Sequence, residues 1–277
     1  MGIFVSQPQY IKTEHLGSGG FGDVYKAINS INGEVVAVKT FKDSSKYAAV
    51  QNEIDALNIA AHKNVVQLKG HYIDNETNEI CMVMEFCPQN NIEHFIENNP
   101  SHRVPRVGFL QDIASGIAYI HGRNIVHRDL KPANILVTYD GARHIAKLAD
   151  FGIAKIMTTH QDRKQWGGMY ARTKIGTAPY MAPEVLSEDN TRYGLKVDIF
   201  SMGLVFCVIY GLKERVEKEC IGANLNASIQ YQSVANDIIC KGIKKDRLRI
   251  LITRMIQFDP NSRPDAEGVK KSVMSLE

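Results

Sequence analysis

The first third of the chain alternates short β-branched and aromatic runs with residues that favour turns. Runs over residues 10–28 and 33–42 predict strands, because Gly17-Ser18-Gly19-Gly20 and Asn32-Gly33 interrupt them at turn positions. Two more strands are predicted near residues 65–73 and 79–86. This part of the chain is therefore expected to form a five-stranded antiparallel sheet.

One helical pattern interrupts the predicted strands. From about Lys46 to Ala61, apolar residues recur at i, i+4, i+7 and i+11, which is the spacing of one helix face. The sheet and this helix together predict a small β-rich unit.

After Pro88 the pattern becomes helical. Residues 92–98 and 107–121 predict helices, short strands are expected to carry residues 127–152, and helices fill the rest to Glu277. Residues 153–176 have few apolar side chains and predict a mobile loop. The apolar run 199–212 is shorter than the ~20 residues of a bilayer span, so it predicts a buried core helix.

Composition narrows the class of protein. A net charge of +3 is too small to predict a nucleic-acid partner. Five cysteines without a CxxC pair indicate free thiols in a reducing compartment, and cytoplasmic residence is the expectation, with nuclear access left open. Residues 1–6 fit the N-myristoylation pattern, so peripheral membrane association is expected only if Gly2 is acylated.

A glycine-rich segment runs from Leu16 to Val24 and contains G-x-G-x-x-G followed by x-V. Dinucleotide-binding folds share this core, but there a helix follows, whereas here another strand follows. The pattern predicts a hairpin flap whose backbone N–H groups cover phosphates; a tight hairpin without a ligand is the alternative. The candidate residues are Gly17, Ser18, Gly19, Gly20, Phe21, Gly22 and Val24.

Lys39 ends the apolar run Val36-Ala37-Val38 and needs a negative partner if it is buried. Nucleotide phosphates and Glu53, on the predicted helix, can supply one. Asp55 is a rival partner, and a strand-edge surface lysine is the alternative for Lys39. Glu53 is preferred because Leu57 then shares its inward side.

Two further motifs carry groups that handle protons and metals. His127-Arg128-Asp129 precedes Asn134, and Asp150-Phe151-Gly152 follows sixteen residues later. Asp129 can accept a proton from a hydroxyl group. Asn134 and Asp150 offer the oxygen ligands that Mg²⁺ prefers.

With Ala182-Pro183-Glu184, these motifs stand in the order of the protein-kinase signature, and the chain resembles a protein kinase of the eukaryotic serine/threonine type from about Tyr10 to Leu276. The resemblance implies an α+β, two-lobed kinase fold in a single domain over residues 1–277. It places the N-lobe at about 1–86, the hinge at 87–90 and the C-lobe at 91–277, with an activation segment at 150–184. ATP and Mg²⁺ are the implied cofactors, and proteins with Ser or Thr acceptors are the implied substrates.

The resemblance also implies residue roles. Lys39, held by Glu53, would grip the α- and β-phosphates, Asp129 would be the base, and Asn134 and Asp150 would hold Mg²⁺. Lys131 and Thr177 match the serine/threonine type, although Lys131 alone could be a solvated loop charge. The adenine pocket is implied at Val24, Ala37, Met84, Leu136 and the backbones of Glu85 and Cys87, with Asn91 near the ribose.

The same resemblance implies a regulatory phosphosite and two structural contacts. Thr173 is the expected activating phosphosite, modified by an upstream kinase or by autophosphorylation in trans, with Arg128 and Lys155 nearby. Asp198 is expected to anchor the catalytic loop, and Arg263 to pair with Glu184.

Two other classes of protein stay open. One is a pseudokinase that acts as a scaffold, although such proteins usually lose Lys39, Asp129 or Asp150. The other is a small-molecule phosphotransferase, which would lack the Gly176-to-Glu184 substrate platform.

Overall fold

The computed structural model describes residues 10–19, 22–41, 47–152, 154–157, 178–186, 194–224, 236–237, 239 and 241–276. Their arrangement is α+β, with a β-rich lobe followed by a mainly helical lobe, which confirms the predicted fold class.

A five-stranded sheet forms most of the first lobe. Its strands are β1 (Tyr10–Gly19), β2 (Gly22–Asn29), β3 (Val35–Phe41), β4 (Leu68–Ile73) and β5 (Ile80–Glu85). They pair antiparallel in the order β1-β2-β3-β5-β4. The register places Val24 and Met82 on either side of Lys39, and Met84 beside Ala37. Because side chains alternate between the faces of a sheet, these five residues lie on one face.

Helix α1 spans Tyr47–Ile59 and packs its apolar stripe inward. Val50, Ile54 and Leu57 are each at most 4% exposed, as the periodicity predicts. The helix ends two residues before Ala61, which is exposed, and Ala60 is buried instead.

Seven helices of the second lobe have both ends within the described residues, and all but α4 have six residues or more. They are α2 (Ile92–Glu97), α3 (Arg106–His121), α4 (Pro183–Leu186), α5 (Lys196–Ile209), α6 (Lys213–Asn224), α7 (Asp246–Met255) and α8 (Ala266–Met274). Residues 236–237, 239 and 241–242 are helical as well. Short 3₁₀ turns occur at Ser101–Arg103, Pro132–Asn134, Ala178–Tyr180 and Pro260–Ser262.

Two small antiparallel sheets carry the motif loops. Strand β7 (Ile135–Tyr139) pairs with β8 (His144–Leu148), and β6 (Ile125–Val126) pairs with β9 (Lys155–Ile156). The prediction of a loop over residues 153–176 is wrong at β9. There the β6 backbone pairs with a segment too short to show a strand pattern, and Ile156 packs against the core. Residues 158–177 lie outside the described residues.

Helix α5 forms the centre of the second lobe. Every residue from Val197 to Ile209 is buried, which confirms the core helix predicted from the apolar run. A helix that is apolar on all sides belongs in a core. Of its polar side chains, Ser201 is satisfied because its hydroxyl donates to the carbonyl oxygen of Tyr180 at 2.7 Å. Within the described residues, no helix combines the length and the apolar character needed to cross a bilayer.

Candidate active site

Lys39 brings together two carboxylates from distant parts of the chain. Its Nζ lies 2.8 Å and 3.0 Å from the two carboxylate oxygens of Glu53, and 2.9 Å from Oδ1 of Asp150. The Lys39 and Glu53 side chains are 8% and 1% exposed, so both charges are withdrawn from water. The predicted rival, Asp55, instead accepts a hydrogen bond from Gln51 at 2.9 Å.

Electrostatics keep Lys39 and Asp150 ionised. Burial alone would lower the pKa of Lys39, but the negative charges of Glu53 and Asp150 raise it above its ordinary value. Burial would raise the pKa of Asp150, and the charge and hydrogen bond of Lys39 outweigh that effect and lower it. Burial raises the pKa of Glu53, and the adjacent Lys39 charge opposes that rise. At neutral pH Lys39 therefore keeps its proton and Asp150 is a carboxylate.

The Asp129 loop holds a second hydrogen-bonded group. Oδ2 of Asp129 accepts from Nζ of Lys131 at 2.8 Å and from Nδ2 of Asn134 at 2.9 Å. Asn134 Nδ2 also donates to the Asp129 carbonyl oxygen at 2.9 Å. Among the described residues, no partner is recorded for Oδ1 of Asp129, so this oxygen remains available to accept a proton.

The Asp129 and Asp150 loops are joined directly. The N–H of Ala149 donates to the carbonyl oxygen of Asn134 at 2.9 Å, and Nε2 of His127 bonds to the carbonyl oxygen of Ala149 at 3.0 Å. The His127 and Phe151 rings also lie 4.8 Å apart. These contacts bring Asp129, Asn134 and Asp150 to adjoining loops, although they are far apart in the sequence.

Two residues in these loops adopt unusual backbone conformations. Arg128 has a φ of 68° and Asp150 a φ of 58°, in the left-handed region that non-glycine residues rarely occupy. Such conformations persist only where surrounding contacts enforce them, and they cluster at functional sites.

Asp198 is the third residue of the core helix α5, and it holds the Arg128 backbone in place. Its carboxylate accepts the N–H groups of His127 and Arg128, each at 2.8 Å, and it also bonds to Nε2 of His121 at 2.8 Å. The anchor prediction is confirmed, whereas His121 as a third partner was not foreseen. Burial would raise the pKa of Asp198, but these hydrogen bonds and the charges of His121 and His127 lower it.

Two side-chain oxygens, one on Asn134 and one on Asp150, are candidate metal ligands. Among the described residues, neither Oδ1 of Asn134 nor Oδ2 of Asp150 has a hydrogen-bond partner. The Asp150 side chain is 36% exposed, so it can be reached. An amide and a carboxylate oxygen suit Mg²⁺, which binds through one or two protein oxygens together with phosphates and water. Within the described residues, no group of three or more His, Cys, Asp or Glu side chains could hold a metal by itself.

The glycine-rich flap joins β1 to β2. Gly17 lies opposite Val24, and Gly19 opposite Gly22, in the hairpin register. A Cβ on Gly22 would lie 1.9 Å from the carbonyl oxygen of Thr40, so only glycine fits there, whereas nothing lies within 4 Å of a Cβ on Gly17. At the tip, Gly20 and Phe21 lie outside the described residues.

Ser18 has a partner that the motif does not reveal. Its hydroxyl lies 3.1 Å from Nε2 of His15, and the His15 ring packs edge-on against Tyr25 at 5.2 Å. His15 therefore links β1 to β2 beside the flap.

The implied adenine residues lie around the segment that connects the lobes. Val24, Ala37 and Met84 share the sheet face of Lys39, and Leu136 forms a β-bridge with Asn91. No backbone hydrogen bond of Cys87 is recorded among the described residues. The Cys87 thiol is buried, and burial raises its pKa to about 12.

Two implied pocket residues have structural contacts as well. The side-chain oxygen of Asn91 caps α2 by accepting the N–H of His94 at 2.9 Å, which fixes this amide at the start of the helix. The Glu85 side chain accepts from Nζ of Lys147 and from the N–H of Gln67, both at 2.7 Å. The sequence assigned Glu85 only a backbone role, and nothing in its spacing indicated these partners.

Glu184 and Arg263 form the predicted ion pair. Both guanidinium nitrogens contact the carboxylate, at 2.7 Å and 2.8 Å, and the Arg263 side chain is fully buried. Thr173, Thr177 and the side chain of Lys155 lie outside the described residues, so their predicted roles stay predictions.

The motifs, their order and this geometry agree with a family model. The protein kinase domain model matches residues 10–274. The chain belongs to the protein kinase domain family. The resemblance inferred from the motifs is thereby confirmed, and the match covers both lobes of this kinase domain.

Individual relatives support the family assignment. The kinase domain is 34% identical over 262 residues to "Serine/threonine-protein kinase ULK3" of Rattus norvegicus, covering 92% of this chain and 52% of that protein. It is 30% identical over 278 residues to "Interferon-induced, double-stranded RNA-activated protein kinase" of Mus musculus, covering 94% and 50%. It is 31% identical over 281 residues to "Serine/threonine-protein kinase TAO2" of Homo sapiens, covering 97% and 21%. The chain thus spans about half the length of the first two.

Proposed function

We propose that this kinase domain transfers the γ-phosphoryl group of ATP to serine or threonine hydroxyls of proteins. The observation that carries this proposal is the cluster in which Lys39 contacts both Glu53 and Asp150, beside the Asp129 loop. Phosphoryl transfer depends on positioning and charge neutralisation, and this cluster supplies fixed charges of both signs.

Lys39 is the phosphate-binding cation in this proposal. Glu53 fixes the position of its ammonium group at 2.8 Å, and the raised pKa keeps the positive charge at any physiological pH. A pre-positioned charge in a site shielded from water stabilises the negative charge that spreads over the phosphoryl oxygens.

Asp129 is the base that orients and deprotonates the acceptor hydroxyl. Lys131 and Asn134 hold one of its oxygens, and the other oxygen is left for the substrate. Lys131, whose ammonium group lies 2.8 Å from Asp129, is proposed to place a cation near the transferred phosphoryl group. The name of each relative quoted above contains "protein kinase", and two contain "serine/threonine", which favours a protein hydroxyl acceptor.

Asn134 and Asp150 are the proposed Mg²⁺ ligands. Asn134 is oriented by its two bonds to Asp129, which leaves its side-chain oxygen outside that network. Within the described part of the chain, Asp150 uses only Oδ1 for Lys39, so Oδ2 is the proposed metal-binding oxygen. Magnesium supplies positive charge against the phosphates when it is bound.

The nucleotide base is proposed to bind at the hinge, residues 87–90, between β5 and α2. Val24, Ala37 and Met84 supply apolar surface from the sheet, and Leu136 supplies it from the second lobe. Among the described residues the backbone groups of Cys87 have no hydrogen-bond partner, and this supports a hydrogen bond to the adenine edge at that residue.

The decisive experiment is incubation with γ-labelled ATP, Mg²⁺ and a generic basic protein, followed by phosphoamino-acid analysis. The parent is expected to label serine or threonine, and Asp150→Asn to lose most of that labelling. No transfer by the parent, with Asp150→Asn binding partners equally well, would favour the scaffold alternative. Transfer only to small molecules would favour the phosphotransferase alternative.

Activation by phosphorylation of Thr173 is the proposed regulation. A phosphate would bring about −1.5 to −2 charges to a segment that also contains several basic residues and follows the Arg128 loop. Thr173→Ala should lower activity relative to the parent. Equal activity, together with an unphosphorylated segment by mass spectrometry, would discard this regulation.

A further inference from the structure

A cluster of positive charge lies where three separate segments meet, and none of its residues belongs to the proposed active site. His62 and Lys63 follow α1, Tyr119 and Arg123 lie at the end of α3, and Lys270 belongs to α8. The Tyr119 ring lies 4.6 Å from the His62 ring, and the Arg123 guanidinium carbon lies 3.5 Å from the Tyr119 ring centroid. We call this set the His62 cluster.

The charge of the His62 cluster is not balanced within the described residues. Lys63 and Arg123 are exposed, and neither has a recorded carboxylate partner within ion-pair distance there. Lys270 has one weak partner, Glu267 at 3.7 Å. An anion would relieve the repulsion among these cations.

Positive charges also surround the His62 ring. Burial lowers the pKa of His62, and the charges of Lys63, Lys270, Arg123 and Lys147 lower it further. Of these, Lys147 is already paired with Glu85 at 2.7 Å, so it contributes charge rather than a free donor. His62 is therefore neutral at physiological pH.

The hydrogen-bond donors of the cluster are defined. The N–H of Asn64 donates to Nδ1 of His62 at 3.1 Å, so the neutral ring carries its proton on Nε2. Arg123 stacks on Tyr119 and donates through one terminal nitrogen to the Tyr119 carbonyl oxygen at 3.3 Å, and this restrains the guanidinium. Its other N–H groups remain as a planar fork, which suits tetrahedral oxyanions.

We propose that the His62 cluster binds a phosphate group, either free inorganic phosphate or the phosphate monoester of a phosphorylated side chain of a polypeptide. A phosphate carries about −1.5 to −2 charges and three acceptor oxygens, whereas a carboxylate carries one charge and two oxygens. Three cations and an imidazole donor match the phosphate better. This site is independent of the proposed phosphotransfer activity.

The test is an NMR titration of the His62 ring signal in the whole chain, assigned with His62→Gln. Inorganic phosphate, a phosphothreonine peptide and its unphosphorylated twin are added in separate arms, with sodium chloride holding ionic strength constant. A saturable shift with phosphate or with the phosphopeptide, and none with the unphosphorylated twin, is expected. Tighter binding of the phosphopeptide would assign the polypeptide source, and tighter binding of inorganic phosphate the free source.

Matched variants distinguish phosphate binding at the cluster from non-specific attraction to positive charge on the protein surface. Arg123→Gln should weaken phosphate binding by about tenfold. Arg247→Gln removes another exposed arginine, on α7, and should leave affinity unchanged. Lys63→Gln changes a second exposed cation of the cluster and should weaken phosphate binding as Arg123→Gln does. If Arg123→Gln folds poorly, the Lys63→Gln result tests whether the cluster binds phosphate. Absence of a saturable shift, or equal effects of the Arg123 and Arg247 variants, would overturn the proposal.

Discussion

At the scale of single residues, the site depends on how buried charges are balanced. Lys39 is almost fully buried and would be costly to ionise alone, but two carboxylates lie within 3.0 Å of its ammonium group. The Lys39–Glu53 contact was predictable, because a lysine in an apolar strand needs an acid on a neighbouring element. The Lys39–Asp150 contact was not, because no local pattern connects residues 111 positions apart.

Cys87 illustrates the opposite effect, since burial makes it unreactive. With a pKa of about 12, its thiolate fraction at pH ~8 is about 10⁻⁴, against roughly a quarter for an ordinary thiol. Cys87 in the native protein should therefore react with iodoacetamide far more slowly than in urea, as followed by mass spectrometry. Equal rates in the two states would show that Cys87 is exposed and the pocket differently packed.

At the scale of elements, single contacts fix the positions of short segments. Sequence patterns predict some of these contacts and miss others. The glycine-rich hairpin followed from turn residues and β-branched runs, whereas its register, which shifts between Lys12 and Glu14 and between His15 and Gly17, was not predicted. Strand β9 was missed because two residues show no periodicity. The capping role of Asn91 was not predicted, although an asparagine directly before a predicted helix is a typical N-cap.

The hairpin provides a matched pair of glycine substitutions. Gly22→Ala places a Cβ against the Thr40 carbonyl oxygen in a backbone conformation that favours glycine, with φ at 149°. It should lower the free energy of unfolding by ~1–3 kcal/mol. Gly17→Ala meets no atom within 4 Å and should cost less, as measured by urea denaturation. Equal costs would mean that the flap backbone differs from the one described.

Helix α5 acts on the catalytic loop through Asp198. The two carboxylate oxygens of Asp198 bind the His127 and Arg128 N–H groups and the His121 ring, and Asp198→Asn leaves only one acceptor oxygen. The substitution should lower the free energy of unfolding by ~2–4 kcal/mol at neutral pH.

The stability difference should depend on pH in a definite direction. Because folding lowers the pKa of Asp198, its stabilisation is complete above the unfolded value of about 3.9 and is lost as pH falls through the lower folded value. The gap between parent and Asp198→Asn should therefore narrow on acidification, measured by urea denaturation. A gap that stays constant would show that Asp198 does not carry the charge assigned to it.

At the scale of the whole molecule, the kinase domain joins a β-rich lobe to a helical lobe through contacts at the proposed site and through backbone hydrogen bonds between residues 64–66 and Leu148. The sequence motifs predicted both lobes, the helix that carries Glu53 and the loops that carry Asp129 and Asp150. They did not predict that Glu85 would contact Lys147, since that pair depends on how the lobes are packed. Long-range packing is where sequence patterns carry the least information.

The most direct test of the account is to compare the parent with Asp129→Asn for both ATP affinity and the rate of phosphoryl transfer to a protein hydroxyl. Asp129 is assigned to the acceptor and not to the phosphates. Transfer should therefore fall by about 10²–10⁴-fold, while the dissociation constant of MgATP changes by less than about threefold. Transfer by Asp129→Asn at the parent rate, or a parent that binds MgATP and transfers nothing, would contradict the account.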